Sequence, residues 1–201
     1  MKKKELDVVF LLDKSGSMYD CVSDTIGGYN NYINNLKGKG TNALITTVLF
    51  NNEYQLLHER TPIQQINKLT NKEYFVNGST ALLDAIGNSI ETIEKKVKNN
   101  KVLFVITTDG LENASIKYTK EQIKEMIIGH KNWEFIYIGA NIDSFSESAS
   151  IGISKKNTCN YKTNSSGIKN MFKAVECATS SIYNECELRE DWKSSLKENW
   201  Q

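Results

Sequence analysis

Four stretches of the sequence are continuously apolar and lack the alternation of a strand with one solvated face. Such runs are typical of strands in a parallel sheet that is covered on both sides. They are Val8–Leu12, Ala43–Phe50, Val102–Ile106 and Phe135–Ile138. The run Tyr54–Arg60 follows a turn-like Asn-Asn-Glu link and predicts an antiparallel partner for the second strand, and Thr158–Tyr161 predicts a weaker strand.

Between these strands, apolar residues recur every three or four positions, which is the period of an amphipathic helix. Three long helices are predicted over Val22–Leu36, Leu82–Val97 and Ile168–Ile182. Shorter helices are predicted from Thr119, a favourable N-cap, to Ile128 and over Ser144–Ser150. Because strands and helices alternate, the fold class is α/β: a doubly wound, Rossmann-like three-layer sandwich with a mostly parallel central sheet and one antiparallel edge strand.

No linker, internal repeat or low-complexity tract divides the 201-residue chain. We therefore expect one domain over residues 1–184 and a C-terminal extension over residues 185–201. In the extension an apolar residue recurs every four positions, at Leu188, Trp192, Leu196 and Trp200. This spacing predicts an amphipathic helix packed on the domain. A helix that docks on a partner is the alternative, since tryptophan is enriched at interface hot spots.

Composition narrows the function classes. The 25 basic and 24 acidic residues leave a net charge of +1, and Arg60 and Arg189 are the only arginines, which disfavours nucleic-acid binding. No apolar run reaches the roughly 18 residues that span a membrane. The apolar stretch near the start ends at Leu12 and is too short for a signal peptide. The four cysteines form no C-x-x-C pair, so we expect reduced thiols and a cytoplasmic location.

Polar residues cluster where strands end, which is where ligands bind in such sheets. Asp13, Ser15 and Ser17 directly follow the first strand, Asp109 follows the Val102–Ile106 strand, and Thr80 precedes a long helix. Each of them alone is an ordinary turn or capping residue. Together, their hard oxygen donors without histidine or cysteine suit Mg²⁺, with Mn²⁺ or Ca²⁺ as alternatives.

The pattern D-x-S-x-S, a downstream threonine and an aspartate before glycine resembles a von Willebrand factor A domain with an intact metal-ion-dependent adhesion site, of the stand-alone bacterial or phage type. The resemblance extends over about residues 5–184. It implies that Ser15 and Ser17 coordinate Mg²⁺ through their hydroxyls and that Thr80 binds directly or through water. It also implies that Asp13 and Asp109 act through waters or without touching the ion.

Neutral hydroxyls compensate a divalent charge poorly, so the ion remains electrophilic and its open position favours an anionic oxygen. We therefore expect this surface to bind an aspartate or glutamate of another protein. Asp84, one helical turn after Thr80, is expected to orient Thr80 or a serine. Lys14 is expected to contact the partner, and Glu112 and Asn113 are candidates for the border of the site.

The leading interpretation is a metal-dependent protein-interaction module without enzymatic activity. Similar stand-alone proteins are accessory parts of AAA+ ATPase, stress or phage-defence systems, which suggests partners of those kinds. The alternative is a metal-dependent phosphatase or hydrolase that uses Asp13. Such phosphatases need a second acid two residues on, where this chain has Ser15. A third alternative is a scaffold with a vestigial metal site.

Overall fold

The computed structural model describes residues 5–197, and in that range six strands form a single sheet. The strands are β1 (Leu6–Asp13), β2 (Ala43–Phe50), β3 (Tyr54–Pro62), β4 (Lys101–Thr108), β5 (Trp133–Gly139) and β6 (Thr158–Asn160). Their order is β3-β2-β1-β4-β5-β6. All neighbours are parallel except β2 and β3, which are antiparallel. The predicted sheet is therefore confirmed.

Helices cover both faces of the sheet. They are α1 (Val22–Gly38), α2 (Leu82–Glu94), α3 (Lys120–Gly129), α4 (Ser144–Ser150), α5 (Ser165–Glu185) and the short α6 (Ser194–Lys197). Successive residues of β1 belong to different cores: Phe10 packs with α1 and α5, whereas Leu11 packs with α2 and α3. This burial on both faces is the reason for the continuous apolar runs. No helix among residues 5–197 is long and apolar enough to cross a membrane.

The strand order has a switch point between β1 and β4. From β1 the chain moves outward to β2 and β3, then returns to the other side of β1 to form β4. Connections leave the carboxyl ends of these two strands in opposite directions, which opens a crevice there. Asp13 ends β1 and Thr108 ends β4, so both residues lie at the crevice.

The connection between β3 and α2 carries core residues that no sequence period predicted. Ile63, Ile66, Leu69 and Tyr74 are all at least 95% buried, although only a short 3-10 turn at Ile63–Gln65 is regular. This segment does not pair with a strand, and side chains of α1 hold it in place. Asn30 exchanges two hydrogen bonds with the backbone of Leu69, at 2.9 and 2.8 Å.

The C-terminal segment folds back on α5 as two short pieces, a 3-10 turn at Glu190–Lys193 and then α6, where the sequence predicted one continuous helix. The Ser181 hydroxyl accepts from Arg189 N and donates to the Glu187 carbonyl, which fixes the bend. Trp192 and Leu196 are 1% and 2% exposed and belong to the core beside α5. Trp200 lies outside the described residues.

Candidate metal centre

Asp13 links the two strands at the switch point. Its carboxylate is 2% exposed. Oδ1 accepts a 2.8 Å hydrogen bond from the backbone N–H of Ser15, and Oδ2 accepts a 2.6 Å bond from the Thr108 hydroxyl. The first bond shapes the loop after β1, and the second ties that loop to the end of β4.

The serine hydroxyls lie next to this carboxylate. Ser15 Oγ and Ser17 Oγ are 3.1 Å apart, and Ser17 donates a 2.6 Å hydrogen bond to Oδ1 of Asp109. Ser17 lies in the 3-10 helix Gly16–Cys21 that follows β1. Four of the five predicted ligand residues, Asp13, Ser15, Ser17 and Asp109, are therefore linked by consecutive hydrogen bonds.

Thr80 completes the group from the loop before α2. A Cβ atom built on Gly110 would lie 3.4 Å from Thr80 Oγ1 and 3.8 Å from Ser17 Oγ, so both hydroxyls border this glycine. Asn113 fixes the threonine backbone: its Oδ1 accepts from Thr80 N at 2.9 Å, and its own N–H donates to the Thr80 carbonyl at 3.0 Å. The structure thus brings all five predicted residues to one end of the sheet.

Burial makes the centre costly to charge. It raises the pKa of Asp13 from 3.8 to about 6, although hydrogen bonds from Ser15 and Thr108 oppose the rise. Burial also raises the pKa of Asp109, against the hydrogen bond from Ser17, and the nearby Asp109 charge adds to the rise at Asp13. A bound cation would offset the free-energy cost of ionising these two carboxyl groups.

The donor set fits a small hard cation. In an octahedral Mg²⁺ site the ligands lie at about 2.1 Å from the ion, so neighbouring oxygens are ~3.0 Å apart. The 3.1 Å between the Ser15 and Ser17 hydroxyls matches that edge. Within residues 5–197, no group of three or more histidine, cysteine, aspartate or glutamate side chains is placed to hold a metal. The centre offers two carboxylates and three hydroxyls, which is not a closed carboxylate cage.

Asp84 has a different role from the predicted one. Its carboxylate accepts hydrogen bonds from the backbone N–H groups of Ile116, Lys117 and Tyr118, at 2.9 to 3.0 Å, and makes none to Thr80 or to a serine hydroxyl. The expectation that Asp84 orients those hydroxyls is therefore wrong. It holds the loop after Asp109, since its position in the first turn of α2 faces that loop.

Glu112 is itself part of this loop and also holds it in place. Its two oxygens accept from Ala114 N, Ser115 N, the Ser115 hydroxyl and Leu83 N, at 2.7 to 2.9 Å. The Leu83 amide belongs to the first turn of α2, where a carboxylate is favoured by the helix dipole. All of its hydrogen bonds organise the loop, and Asn113 beside it holds Thr80.

The structure corrects a second expectation, which concerns Lys14. The sequence predicted that it points out of the metal loop toward a partner, but it is 8% exposed and its Nζ donates to Gln55 Oε1 at 2.8 Å. The reason is that β3 pairs with β2 and brings Gln55 over the loop after β1.

Sequence reasoning missed two residues that support the centre. The buried Tyr74 donates its hydroxyl to the Asp13 carbonyl, and Thr108 bonds the Asp13 carboxylate. The sequence position of Thr108 could have indicated its role, because this threonine directly precedes Asp109 at a strand end. Tyr74 carried none, since it lies 61 residues from Asp13 in a segment without periodicity.

A family model described as von Willebrand factor type A domain matches residues 7–174. No curated protein matches the sequence. Solved structures with this fold include a von Willebrand factor type A protein from Catenulispora acidiphila, with 15% identity and a TM-score of 0.67. That match covers 88% of this chain and 43% of that one, so the chain spans less than half the length of this relative.

Two further structures have the same fold. The pilus adhesin SpaC from Lactobacillus rhamnosus GG, in an open conformation, has 11% identity and a TM-score of 0.74, over 91% of this chain and 31% of that one. The manganese-loaded TRAP protein of Plasmodium vivax has 21% identity and a TM-score of 0.59, over 81% of this chain and 70% of that one. At these identities the likeness establishes the fold.

Proposed function

Because the chain belongs to the von Willebrand factor type A domain family, we propose that it is a divalent-metal-dependent protein-interaction module. Asp13, Ser15, Ser17, Thr80 and Asp109 form its metal-ion-dependent adhesion site, with Mg²⁺ as the resident ion. Mn²⁺ and Ca²⁺ are alternatives, and the manganese-loaded state of the Plasmodium vivax neighbour supports testing Mn²⁺.

One observation carries the proposal: the hydroxyls of Ser15 and Ser17 lie 3.1 Å apart beside the buried carboxylate of Asp13. The two hydroxyls hydrogen-bond each other at this distance, and the same separation would fit two adjacent ligands on a small hard cation. The two serines would hold the ion directly, Thr80 would complete the set, and Asp13 and Asp109 would supply the negative charge. A bound cation supplies an electrophilic position that accepts an anionic oxygen.

The ligand that this chemistry selects is a carboxylate of a partner protein. Because neutral hydroxyls would be the direct protein ligands, the ion would stay electrophilic, and an aspartate or glutamate of the partner would complete its coordination. The phosphatase alternative lacks support at the site, because Ser15 stands where the second acid would act and its N–H is engaged by Asp13. We accordingly propose a binding protein and not an enzyme.

The setting is part of the same proposal. All four cysteines carry free thiols, which supports a reducing, cytoplasmic environment. Components of AAA+ ATPase, stress-response or defence systems are the partner classes to test first, with Mg²⁺ and with a chelator in parallel.

Thermal denaturation of chelator-stripped protein tests metal binding. With a dissociation constant on the order of 0.5 mM, about 5 mM Mg²⁺ stabilises the fold by about 1.4 kcal/mol, which raises Tm by roughly 3–6 °C for a domain of this size. The Ser15→Ala/Ser17→Ala variant should lose the shift. The matched control Ser23→Ala/Ser154→Ala, which changes two exposed serines, should keep it. A wild-type protein whose Tm is unmoved by Mg²⁺, Mn²⁺ and Ca²⁺ would overturn the proposal.

A further inference from the structure

The strand β6 forms one edge of the sheet and lies in a groove. Among residues 5–197 the strand order ends at β6, so no further strand covers its outer side. The groove has a volume of about 460 Å³, and every residue of β6 lines it. Phe145 of α4 borders the groove on one side and Leu196 of α6 on the other. We name this channel between α4, the edge strand and α6 the β6 groove.

The backbone of Asn160 faces away from β5. Successive residues of a strand direct their N–H and C=O groups to opposite sides. Tyr161 N donates to the Gly139 carbonyl at 2.9 Å, so Tyr161 faces β5, and Asn160, one position earlier, faces outward. Thr158 also faces outward, and its carbonyl accepts from Lys193 Nζ at 2.7 Å. A chain that pairs with the outer side of β6 would therefore meet the N–H and C=O groups of Asn160.

The side chain of Asn160 adds an unsatisfied acceptor to this edge. Its Oδ1 is buried and accepts no hydrogen bond from any group in residues 5–197. A buried acceptor without a donor is unfavourable, and the great majority of such groups in folded proteins are paired. An occupant of the groove that carries N–H groups can supply the missing donor.

Each wall of the β6 groove combines a lysine with an apolar side chain. On one wall Lys155 Nζ lies 5.4 Å from the centroid of the Phe145 ring, and both residues are exposed. On the other wall Lys193 precedes Leu196 by three positions. No acidic residue is among the described residues that line the groove. The groove therefore matches a segment in which acidic and apolar side chains occur together.

The charge of the surrounding chain has the same sign. Residues 151–175 contain five lysines and no aspartate or glutamate, although the whole chain has a net charge of only +1. A local excess of positive charge attracts an acidic partner and accelerates its association. Pairing of two β6 edges from two copies of the chain would instead bring like charges together.

We propose that the β6 groove binds an extended acidic segment of a partner protein, which pairs with β6 as an added strand. Backbone hydrogen bonds to Asn160 would supply affinity, and the two walls would select the side chains of the segment. The β6 groove is separate from the metal centre. β6 lies two strands from β4, and none of the five predicted ligands is among the residues that line the groove. Binding here needs no metal ion.

Peptide selection in a chelator tests this surface without the metal centre. Random nonapeptides displayed on phage are selected on the full chain in EDTA, and synthetic versions are measured by fluorescence anisotropy. We expect the selected peptides to carry aspartate or glutamate together with apolar residues. Lys155→Glu/Phe145→Ser should bind them about tenfold more weakly or worse. The matched control Lys124→Glu/Ile128→Ser, which makes the same kinds of change at exposed positions of α3, should bind as the wild type does.

Hydrogen exchange of the complex tests strand pairing. The Asn160 amide should exchange about tenfold more slowly or less with peptide bound, because it gains an acceptor. The Cys159 amide, which is already directed at β5, should change little. N-methylation of one alternate set of peptide amides should abolish binding, and methylation of the other set should not, since only one set faces β6.

Several outcomes would overturn the proposal. Selected peptides without acidic residues, no selected peptide at all, or equal binding by Lys155→Glu/Phe145→Ser and the wild type would refute the groove as the site. An unprotected Asn160 amide would refute strand pairing. Peptides selected by Trp200→Ser but not by the wild type would assign the groove to the chain's own C-terminal residues. A wild-type dimer in analytical ultracentrifugation that Lys155→Glu/Phe145→Ser dissociates would assign it to a second copy. Each of these results leaves the Mg²⁺-dependent rise in Tm, and with it the metal centre, untouched.

Discussion

The Thr108 hydroxyl donates a 2.6 Å hydrogen bond to Oδ2 of the buried Asp13 carboxylate. This contact joins the carboxyl ends of β1 and β4 where the strand order switches. It supplies one of the few donors available to a carboxylate whose pKa burial raises to about 6. The centre is therefore built around a negative charge that the metal-free fold accommodates poorly.

This charge predicts a dependence of stability on pH. The pKa of Asp13 is about 6 in the folded protein, whereas that of an exposed aspartate is 3.8. The folded state therefore holds the proton more tightly than the unfolded state. The contribution of Asp13 to the free energy of unfolding is fully present below about pH 4. It falls by about 3 kcal/mol as the pH rises through 6. Metal-free Asp13→Asn should thus exceed the wild type in stability at pH 8, by up to that amount, and not at pH 4.

Urea denaturation in a chelator at both pH values measures this difference. The control Asp20→Asn, which neutralises an exposed carboxylate near the metal loop, should follow the wild type. Asp13→Asn should also lose the Mg²⁺-dependent rise in Tm. A variant that is no more stable than the wild type at pH 8 would show that the Asp13 charge is not destabilising.

Tyr74→Phe tests the support beneath the metal loop. The variant removes the hydroxyl that donates to the Asp13 carbonyl and leaves the ring in place. We expect a loss of about 1–2 kcal/mol, since a buried acceptor loses its donor. The matched control is Tyr161→Phe, whose buried hydroxyl donates to the sulfur of Met18 at 3.8 Å. Equal losses in chemical denaturation would contradict a specific role for Tyr74.

Hydrogen exchange distinguishes the contributions of Glu112 and Asp84, the two carboxylates that hold the loop after Asp109. Glu112→Ala should speed exchange at the amides of Leu83, Ala114 and Ser115, because it removes their acceptor. Asp84→Ala should instead speed exchange in residues 116–118. A loss of about 1.4 kcal/mol in local stability is a tenfold faster rate. Faster exchange of both sets in either variant would mean that the loop opens as one unit.

Trp192→Ala tests whether the C-terminal segment belongs to the core. The side chain is 1% exposed and its Nε1 donates to the Lys156 carbonyl at 3.2 Å. Its removal should cost about 3–5 kcal/mol, whereas Trp192→Phe, which keeps an aromatic ring, should cost less. Thermal denaturation of both variants measures the difference. A cost below about 1 kcal/mol for the alanine variant would mean that the segment contributes little to the fold.

Local pattern was enough to predict the strands and helices. Val8–Leu12 and Val102–Ile106 were recognisable as buried strands because both of their faces pack in cores, and the period of α2 was readable because one of its faces is buried. The ends were less certain: α2 stops at Glu94, three residues before the predicted Val97.

The meeting of the candidate metal ligands at one end of the sheet was predictable for a similar reason. Its candidate ligands directly follow strand ends or precede a helix, and parallel strands bring their carboxyl ends to one edge of the sheet. The position of Asp13 and Asp109 relative to their strands therefore indicated their proximity. The sequence by itself determined the fold class and the set of residues that meet at the switch point.

Tertiary structure alone decided how those residues are held. Asp84 bonds residues 116–118, Lys14 bonds Gln55, and Tyr74 bonds Asp13. These contacts join segments that lie at least 32 positions apart in the chain. No local periodicity reports such a pair, because each contact depends on how two loops are placed by the sheet.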